Sequence, residues 1–296
     1  MQRVSAPATN PLPSPVHARA QREQALALSP DPAAALTSVL AHVSALQNAL
    51  ARPPELVGGI TDAMLHDFLA GRIGPTSAEH AQTWFMRIRQ DPINGHTYGR
   101  RMALLSNLLA YAATPVMTAR IVRAMGQSAH IMCDARAALD HYLSIPEPPV
   151  EDTAACAQYF SALADAACVY GNMGNAPKLR ELGTRILRSG DEPAIADYYL
   201  SLVECCAQQG HFDDVRTAIR EVREHHPVDS YCRTRVIPIA ESMLSWENNI
   251  LPVTPEYCEL LFEQSHRRLM GLSTAEIDEQ IALVRQHTAA GRRDYQ

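Results

Sequence analysis

Residues 163–186 read LADAACVYGNMGNAPKLRELGTRI, and residues 199–222, which start 36 positions later, read YLSLVECCAQQGHFDDVRTAIREV. Gly174 and Gly210 mark the same predicted turn in the two copies. Apolar residues recur at helical spacing on both sides of each glycine. A helical hairpin repeated at a period in the thirties is typical of a stacked solenoid. Because solenoids usually offer surfaces to other molecules, the repeat favours binding over chemistry.

The composition favours a chain without strands. The 296 residues are 47% hydrophobic but only 6% aromatic, a mixture that suits close-packed helices better than sheets. No alternating run of β-branched and aromatic residues bounded by turns predicts a strand. We therefore predict an all-α fold, either a helical-repeat solenoid or an irregular bundle of about twelve helices.

The chain is predicted to fall into four segments. Residues 1–30, rich in Pro, Ser, Ala and Gln, predict a disordered N-terminal segment and a candidate export signal. An Arg-rich helical subdomain is predicted over 31–145, and a helical-repeat subdomain over 150–290. A short tail follows at 291–296. The boundary between the subdomains is placed at the proline cluster 146–149, since prolines end helices.

Further helices are predicted outside the two repeat copies. An apolar stripe from Leu36 to Leu50 predicts an amphipathic helix that either packs on the body or binds a chaperone. Further on, separate helices are predicted near 115–125 and 127–143. The sequence leaves open whether residues 97–143 and 230–290 hold diverged repeat copies or unrelated caps.

Charge is unevenly distributed along the chain. The net charge is −6, but residues 72–136 carry +5 and residues 137–231 carry −8. Such a dipole can orient a partner, although two solvated faces of opposite sign would give the same pattern. The basic residues are 25 Arg and a single Lys, Lys178, which indicates a GC-rich bacterial genome.

The pattern over residues 199–227 resembles a tetratricopeptide repeat, which places apolar, small, glycine and proline residues in a fixed order, and with the first copy the resemblance covers roughly residues 160–230. The residues that carry the resemblance are Tyr199, Leu202, Val203, Cys206, Gly210, Val215, Ile219, Val222 and Pro227. Valine stands at three positions where the family prefers Gly or Ala, and Cys206 stands where it prefers Tyr. The pentatricopeptide family fits loosely, but two degenerate copies on an acidic segment argue against reading RNA.

The resemblance implies a ligand groove lined by the first helix of each hairpin. The positions carried over to this groove are Ser161, Ala164, Cys168 and Asn172 in one copy and Asp197, Leu200, Glu204 and Gln208 in the other. The Lys/Asn/Arg clamp that some members use for a C-terminal carboxylate is missing. An acidic lip from Asp197 and Glu204 would favour a basic or amphipathic protein or peptide.

A second candidate binding region is basic. Arg100, Arg101, Arg120 and Arg123 could form a phosphate-binding patch, with nucleic acid as one ligand class. The negative net charge and the lack of any nucleic-acid motif make nucleic acid an unfavoured partner. Ion pairs with the acidic half of the chain are the alternative role for these arginines.

No catalytic, metal or cofactor site is predicted. Cys133 lies one helical turn from His130, but His141 would be about 12 Å along the axis, so a buried thiol is the simpler interpretation. His225 and His226 point about 100° apart on a helix, and no metallopeptidase spacing surrounds them. The seven cysteines lack zinc spacing and indicate a reducing compartment.

Three functional hypotheses follow. The leading one is a non-enzymatic protein–protein interaction scaffold that uses the groove. The others are a helical enzyme with an unrecognised site and a cytosolic regulator that senses a peptide or ligand. The N-terminus resembles the export region of bacterial type III secreted effectors, which implies a virulence role on host proteins. If the protein is not exported, we expect it in the bacterial cytoplasm. Neither a signal peptide nor a membrane-spanning segment is predicted. The oligomeric state is left open.

Overall fold

A computed structural model describes residues 59–245, residue 247 and residues 253–293, with side chains as far as residue 286. Within these ranges the chain forms 12 helices and no strand, so the predicted all-α fold is confirmed. The predicted disordered segment 1–30 and the amphipathic helix predicted between Leu36 and Leu50 lie outside the described residues.

The helices are numbered here in chain order. They are α1 (Asp62–Leu69), α2 (Ala78–Gln90), α3 (Tyr98–Leu109), α4 (Pro115–Ile131), α5 (Ala135–Leu143), α6 (Thr153–Asn172), α7 (Ala176–Ile186), α8 (Glu192–Gln208), α9 (Phe212–His225), α10 (Tyr231–Leu244), α11 (Pro255–Leu269) and α12 (Ala275–Arg293).

Four helical hairpins follow one another along the chain: α2–α3, α4–α5, α6–α7 and α8–α9. The first helices (α2, α4, α6, α8 and then α10) pack side by side in that order. Each second helix (α3, α5, α7 and α9) packs against its own first helix and against the next one. The first helices begin at residues 78, 115, 153, 192 and 231, so the period is 37 to 39 residues. This period is longer than the about 34 residues of a tetratricopeptide repeat.

Every first helix begins at a short polar side chain. Ser77, Thr114, Asp152, Asp191 and Ser230 each accept a hydrogen bond from the backbone N–H three residues later. These bonds satisfy an N–H group that the first helical turn leaves without a partner. The regular period is therefore fixed locally, at the start of each hairpin.

The turns inside three hairpins have the same backbone geometry. Gly174 and Gly210 follow α6 and α8 with φ of 69° and 76°, and Cys133 follows α4 with φ of 56°. In each turn, the next residue donates a backbone hydrogen bond to the carbonyl five residues earlier. The α4–α5 hairpin therefore repeats the turn of the two copies recognised in the sequence, with a cysteine in the glycine position.

The helix break predicted near residue 126 is wrong. Helix α4 runs unbroken through Gly126, which is buried against the ring of Tyr142 on α5. A Cβ atom at residue 126 would lie 2.5 Å from that ring. The glycine therefore permits close packing of two helices rather than ending one. The chain leaves α4 at Cys133, and the Asp134 side chain caps α5 by accepting from the Ala137 N–H.

Two large buried apolar clusters form most of the core of the described residues, and a third, small one (Tyr257, Ile277 and Ile281) joins α11 to α12. Of the large clusters, one joins α1 to α4 and extends from Ile60 to Met125, and the other joins α4 to α10 and extends from Ala119 to Met243. The predicted boundary at 146–149 falls inside the second cluster, which includes Ile145 before it and Tyr159 after it. The two large clusters meet within α4.

Candidate functional site

The candidate site is a stripe of polar side chains on consecutive first helices, called here the first-helix face. It consists of Arg120, Arg123 and Gln127 on α4, Gln158, Ser161, Asp165 and Cys168 on α6, and Asp197 and Glu204 on α8. Ion pairing connects α4 to α6, because Arg123 Nε donates to Asp165 Oδ2 at 2.7 Å. Gln127 Nε2 donates to the same oxygen at 3.2 Å. These bonds join the α4 and α6 parts of the stripe.

Neighbouring carboxylates stabilise the charge of Arg123. Desolvation is the largest single influence and lowers the pKa of Arg123, but the charge and hydrogen bond of Asp165, together with Tyr142 and Asp197, outweigh it and the pKa is raised. Asp197, on the next first helix, acts in the same direction. Negative charges on both α6 and α8 therefore stabilise the positive charge of Arg123 on α4.

The groove residues predicted from the sequence divide into two groups. Ser161, Cys168, Asp197 and Glu204 are half-buried on the first-helix face, whereas Ala164, Asn172, Leu200 and Gln208 are buried. Ala164 and Leu200 belong to the core cluster. A partner could therefore reach the first group directly. A binding role for the second group stays a prediction that would require neighbouring side chains to move.

Helix α11 covers the C-terminal end of α4. The Nδ1 of His266 donates to the carbonyl oxygen of Met132 at 2.8 Å. The ring of Phe262 stacks on that of His130, with centroids 6.3 Å apart. This end of the face is therefore occupied by the chain itself.

The same helix also covers the ends of α6 and α8. A Cβ atom added to Gly174 would be 3.5 Å from the sulfur of Cys258, so α11 lies directly against that turn. The N–H of Val253, just before α11, donates to the carbonyl of Gln208 at 2.8 Å. Helix α11 and Val253 therefore contact the C-terminal ends of α4, α6 and α8.

The predicted basic patch is dispersed in the fold. Arg101 is buried, and its Nη1 donates to the carbonyl oxygens of Ile88, Arg89 and Asp91 at 2.8 to 3.1 Å. Desolvation, with a smaller contribution from the positive charge of Arg89, lowers the pKa of Arg101 to about 10. Arg100 lies 3.8 Å from Asp62. Arg101 therefore holds the end of α2 in place and is not exposed to a ligand.

Only two members of that predicted patch, Arg120 and Arg123, meet in the fold, and they do so at a cavity of 290 Å³ between α2, α4 and α6. Its polar lining is Gln82, Arg89, Arg120, Arg123, Gln127 and Gln158. The Arg89 guanidinium also lies over the Phe85 ring, 5.7 Å from its centroid. Sequence reasoning missed Arg89, although the +5 charge of residues 72–136 was a signal.

The charges in the cavity are only partly compensated. Arg123 has Asp165 as its partner, but no carboxylate of a described residue lies within 4.0 Å of Arg89 or Arg120. Desolvation, followed by repulsion from Arg123 and Arg120, lowers the pKa of Arg89. The cavity therefore carries net positive charge beside an otherwise acidic face.

The cysteine and histidine sets considered in the sequence do not converge. Burial raises the pKa of Cys133 to about 12, so its thiol stays protonated and is a poor nucleophile. The Nδ1 of His225 lies 2.9 Å from the carbonyl oxygen of Glu221, while His226 lies 4.0 Å from Glu192. Among the described residues, no three His, Cys, Asp or Glu side chains are grouped as metal ligands would be.

No protein-family model matches this chain, and neither does any curated protein or solved structure. The tetratricopeptide and effector resemblances therefore stay predictions. In the part of the chain that the structure describes, no helix has the length and apolar character needed to span a membrane.

Proposed function

We propose that this protein is a non-enzymatic protein–protein interaction module. Its first-helix face would bind a basic or amphipathic segment of another protein. The observation that carries the proposal is the alignment of consecutive first helices, which brings Asp165, Asp197 and Glu204 from α6 and α8 onto one side of the stack. A surface assembled from several hairpins suits an extended partner better than a small molecule.

The arrangement of acids supports a basic partner. Asp197 and Glu204 are seven residues apart, about two helical turns, so both project from the same side of α8. Arg123 pairs with Asp165 on α6, and α8 contributes two further acidic residues, Asp197 and Glu204, to the face. Charge complementarity of this kind mainly sets specificity and the rate of encounter.

Selection from a displayed peptide library tests the proposal, because it presents many candidate segments to the protein at once. The intact protein should select peptides rich in Arg and Lys. The double variant Asp197→Arg/Glu204→Arg should lose this preference. A matched control, Asp140→Arg/Glu224→Arg, makes the same change of charge at exposed positions on the second helices α5 and α9 and should keep it. Selection that is the same for all three proteins would contradict the proposal.

Export into a host cell is a separate proposal that rests on the composition of residues 1–30. Deleting that segment should abolish secretion through a type III apparatus while leaving peptide selection by the folded part unchanged. Secretion of the truncated chain at the level of the intact one would refute export through this segment.

A further inference from the structure

We propose that the cavity between α2, α4 and α6 binds a single carboxylate carried on an apolar stem. The occupant would be a glutamate side chain of the bound segment. The existence of this anion site rests on the cavity alone, whereas the assignment of the carboxylate to a protein partner rests on the proposed function.

The cavity concentrates positive charge. Arg89, Arg120 and Arg123 come from two different helices and share one cavity, with Asp165 as the only acid in contact with them among the described residues. Arg89 and Arg120 are exposed and Arg123 is half-buried. Desolvation first, and then repulsion from Arg123 and Arg120, lower the pKa of Arg89. A bound anion would relieve that repulsion. Guanidinium groups also present paired N–H donors that match the two oxygens of a carboxylate.

The lining of the cavity favours a ligand with a single negative charge and an apolar stem. Asp165 lies 2.7 Å from Arg123, so a dianion such as phosphate would meet a fixed negative charge that a carboxylate tolerates better. Phe85 and Met86 also line the cavity, and Met86 is 43% exposed. They provide an apolar wall for the methylene stem of a glutamate. The side-chain amides of Gln82, Gln127 and Gln158 supply further neutral donors.

The inferred site defines the orientation in which the partner segment would lie on the first-helix face. The carboxylate would lie over α2 and α4, and the basic residues of the same segment would lie over α6 and α8. A segment bound in reverse would place acid against acid and base against base. Specificity of this kind comes from the unfavourable pairs as much as from the favourable ones.

The experiment uses the full chain labelled with ¹⁵N and follows the Arg Nε–H signals in NMR spectra. The probes are Nα-acetyl-glutamic acid α-amide, which has one carboxylate, its glutamine counterpart, and inorganic phosphate. The glutamic acid probe should shift the signals of Arg89 and Arg120, and the glutamine probe should not. The variant Arg89→Gln/Arg120→Gln should bind the acid at least tenfold more weakly. Arg136→Gln, at an exposed position on α5, should bind it normally.

Three results would overturn the inference. They are equal shifts of the Arg signals with the glutamic acid and glutamine probes, undiminished binding of the acid by Arg89→Gln/Arg120→Gln, and tighter binding of phosphate than of the glutamic acid probe. Misfolding is controlled by the melting temperature, which should stay the same or rise in the double variant because repulsion is removed. No partner is needed for this titration. Failure of the peptide selection with an intact titration would therefore refute the proposed function alone, and the reverse outcome would refute only the anion site.

Discussion

At the scale of single residues, two adjacent arginines have different roles. Arg101 is 5% exposed and is bonded to three carbonyl oxygens at the end of α2 and to the hydroxyl of Ser128. Arg100 is exposed, and its nearest carboxylate, on Asp62, is 3.8 Å away. The sequence cannot separate the two, because their difference lies in tertiary contacts with residues 10 to 27 positions away.

Replacing these arginines by methionine, which keeps most of the apolar stem, should separate their roles. Arg101→Met leaves several buried acceptors without a donor and should lower the free energy of unfolding by about 2–4 kcal/mol. Arg100→Met should change it by less than about 0.5 kcal/mol. Urea unfolding monitored by circular dichroism measures both. Equal effects would show that Arg101 does not hold α2 as described.

At the scale of the helical hairpin, the sequence predicts two copies, and the structure shows that the α4–α5 hairpin has the same turn geometry. Between α6–α7 and α8–α9 the turn glycines are 36 residues apart, and this shift is visible by eye. The α4–α5 hairpin has Cys133 at that turn, 41 residues before Gly174. A cysteine in a left-handed conformation is unusual, so no sequence signal marked the position. The shared geometry became evident only from backbone hydrogen bonds and dihedral angles.

Close contacts between a glycine and a tyrosine occur both within a hairpin and between neighbouring hairpins. Tyr142 on α5 packs against Gly126 on α4, whereas Gly183 on α7 makes room for Tyr198 on the following first helix. Each aromatic ring is thus matched by a glycine, but on different helices. Position-by-position comparison of the copies misses these contacts, because the paired residues lie on different helices in the two cases.

Two glycine substitutions test the packing of the α4–α5 hairpin. Gly126→Ala would place a Cβ 2.5 Å from the Tyr142 ring and should lower the free energy of unfolding by about 1–3 kcal/mol. Gly99→Ala, in α3 with nothing within 4 Å of the new Cβ, should leave it unchanged or raise it by up to about 1 kcal/mol. Thermal unfolding of the two variants gives the comparison. A stabilising Gly126→Ala would refute the close approach of α4 and α5.

At the scale of the whole molecule, the sequence predicted part of the site and missed the part that depends on long-range packing. Asp197 and Glu204 lie on one side of α8, as helical periodicity requires. The pairing of Arg123 with Asp165 and the proximity of Arg89 to Arg120 join helices far apart in the chain. The covering of the hairpin ends by α11 is likewise a tertiary event that local patterns do not encode.

The role of α11 as a brace across the hairpins leads to a prediction about stability. Phe262→Ala removes a ring that is 8% exposed and should lower the free energy of unfolding by about 2–4 kcal/mol. Leu283→Ala, 54% exposed on α12, should cost less than about 0.5 kcal/mol. Hydrogen exchange should also quicken at the C-terminal end of α4 in the Phe262 variant. Unchanged exchange there would mean that α11 does not hold that end of the stack.

The most direct test of the central claim, that the first-helix face recognises a basic segment by charge, is a charge-exchange binding measurement. A selected Arg-rich peptide and its counterpart with Glu in place of Arg are titrated against the intact protein and Asp197→Arg/Glu204→Arg, using fluorescence anisotropy. We predict that the Arg-rich peptide loses at least about tenfold in affinity for the variant and that the Glu peptide gains. The same order of affinities for both proteins would contradict recognition through this face.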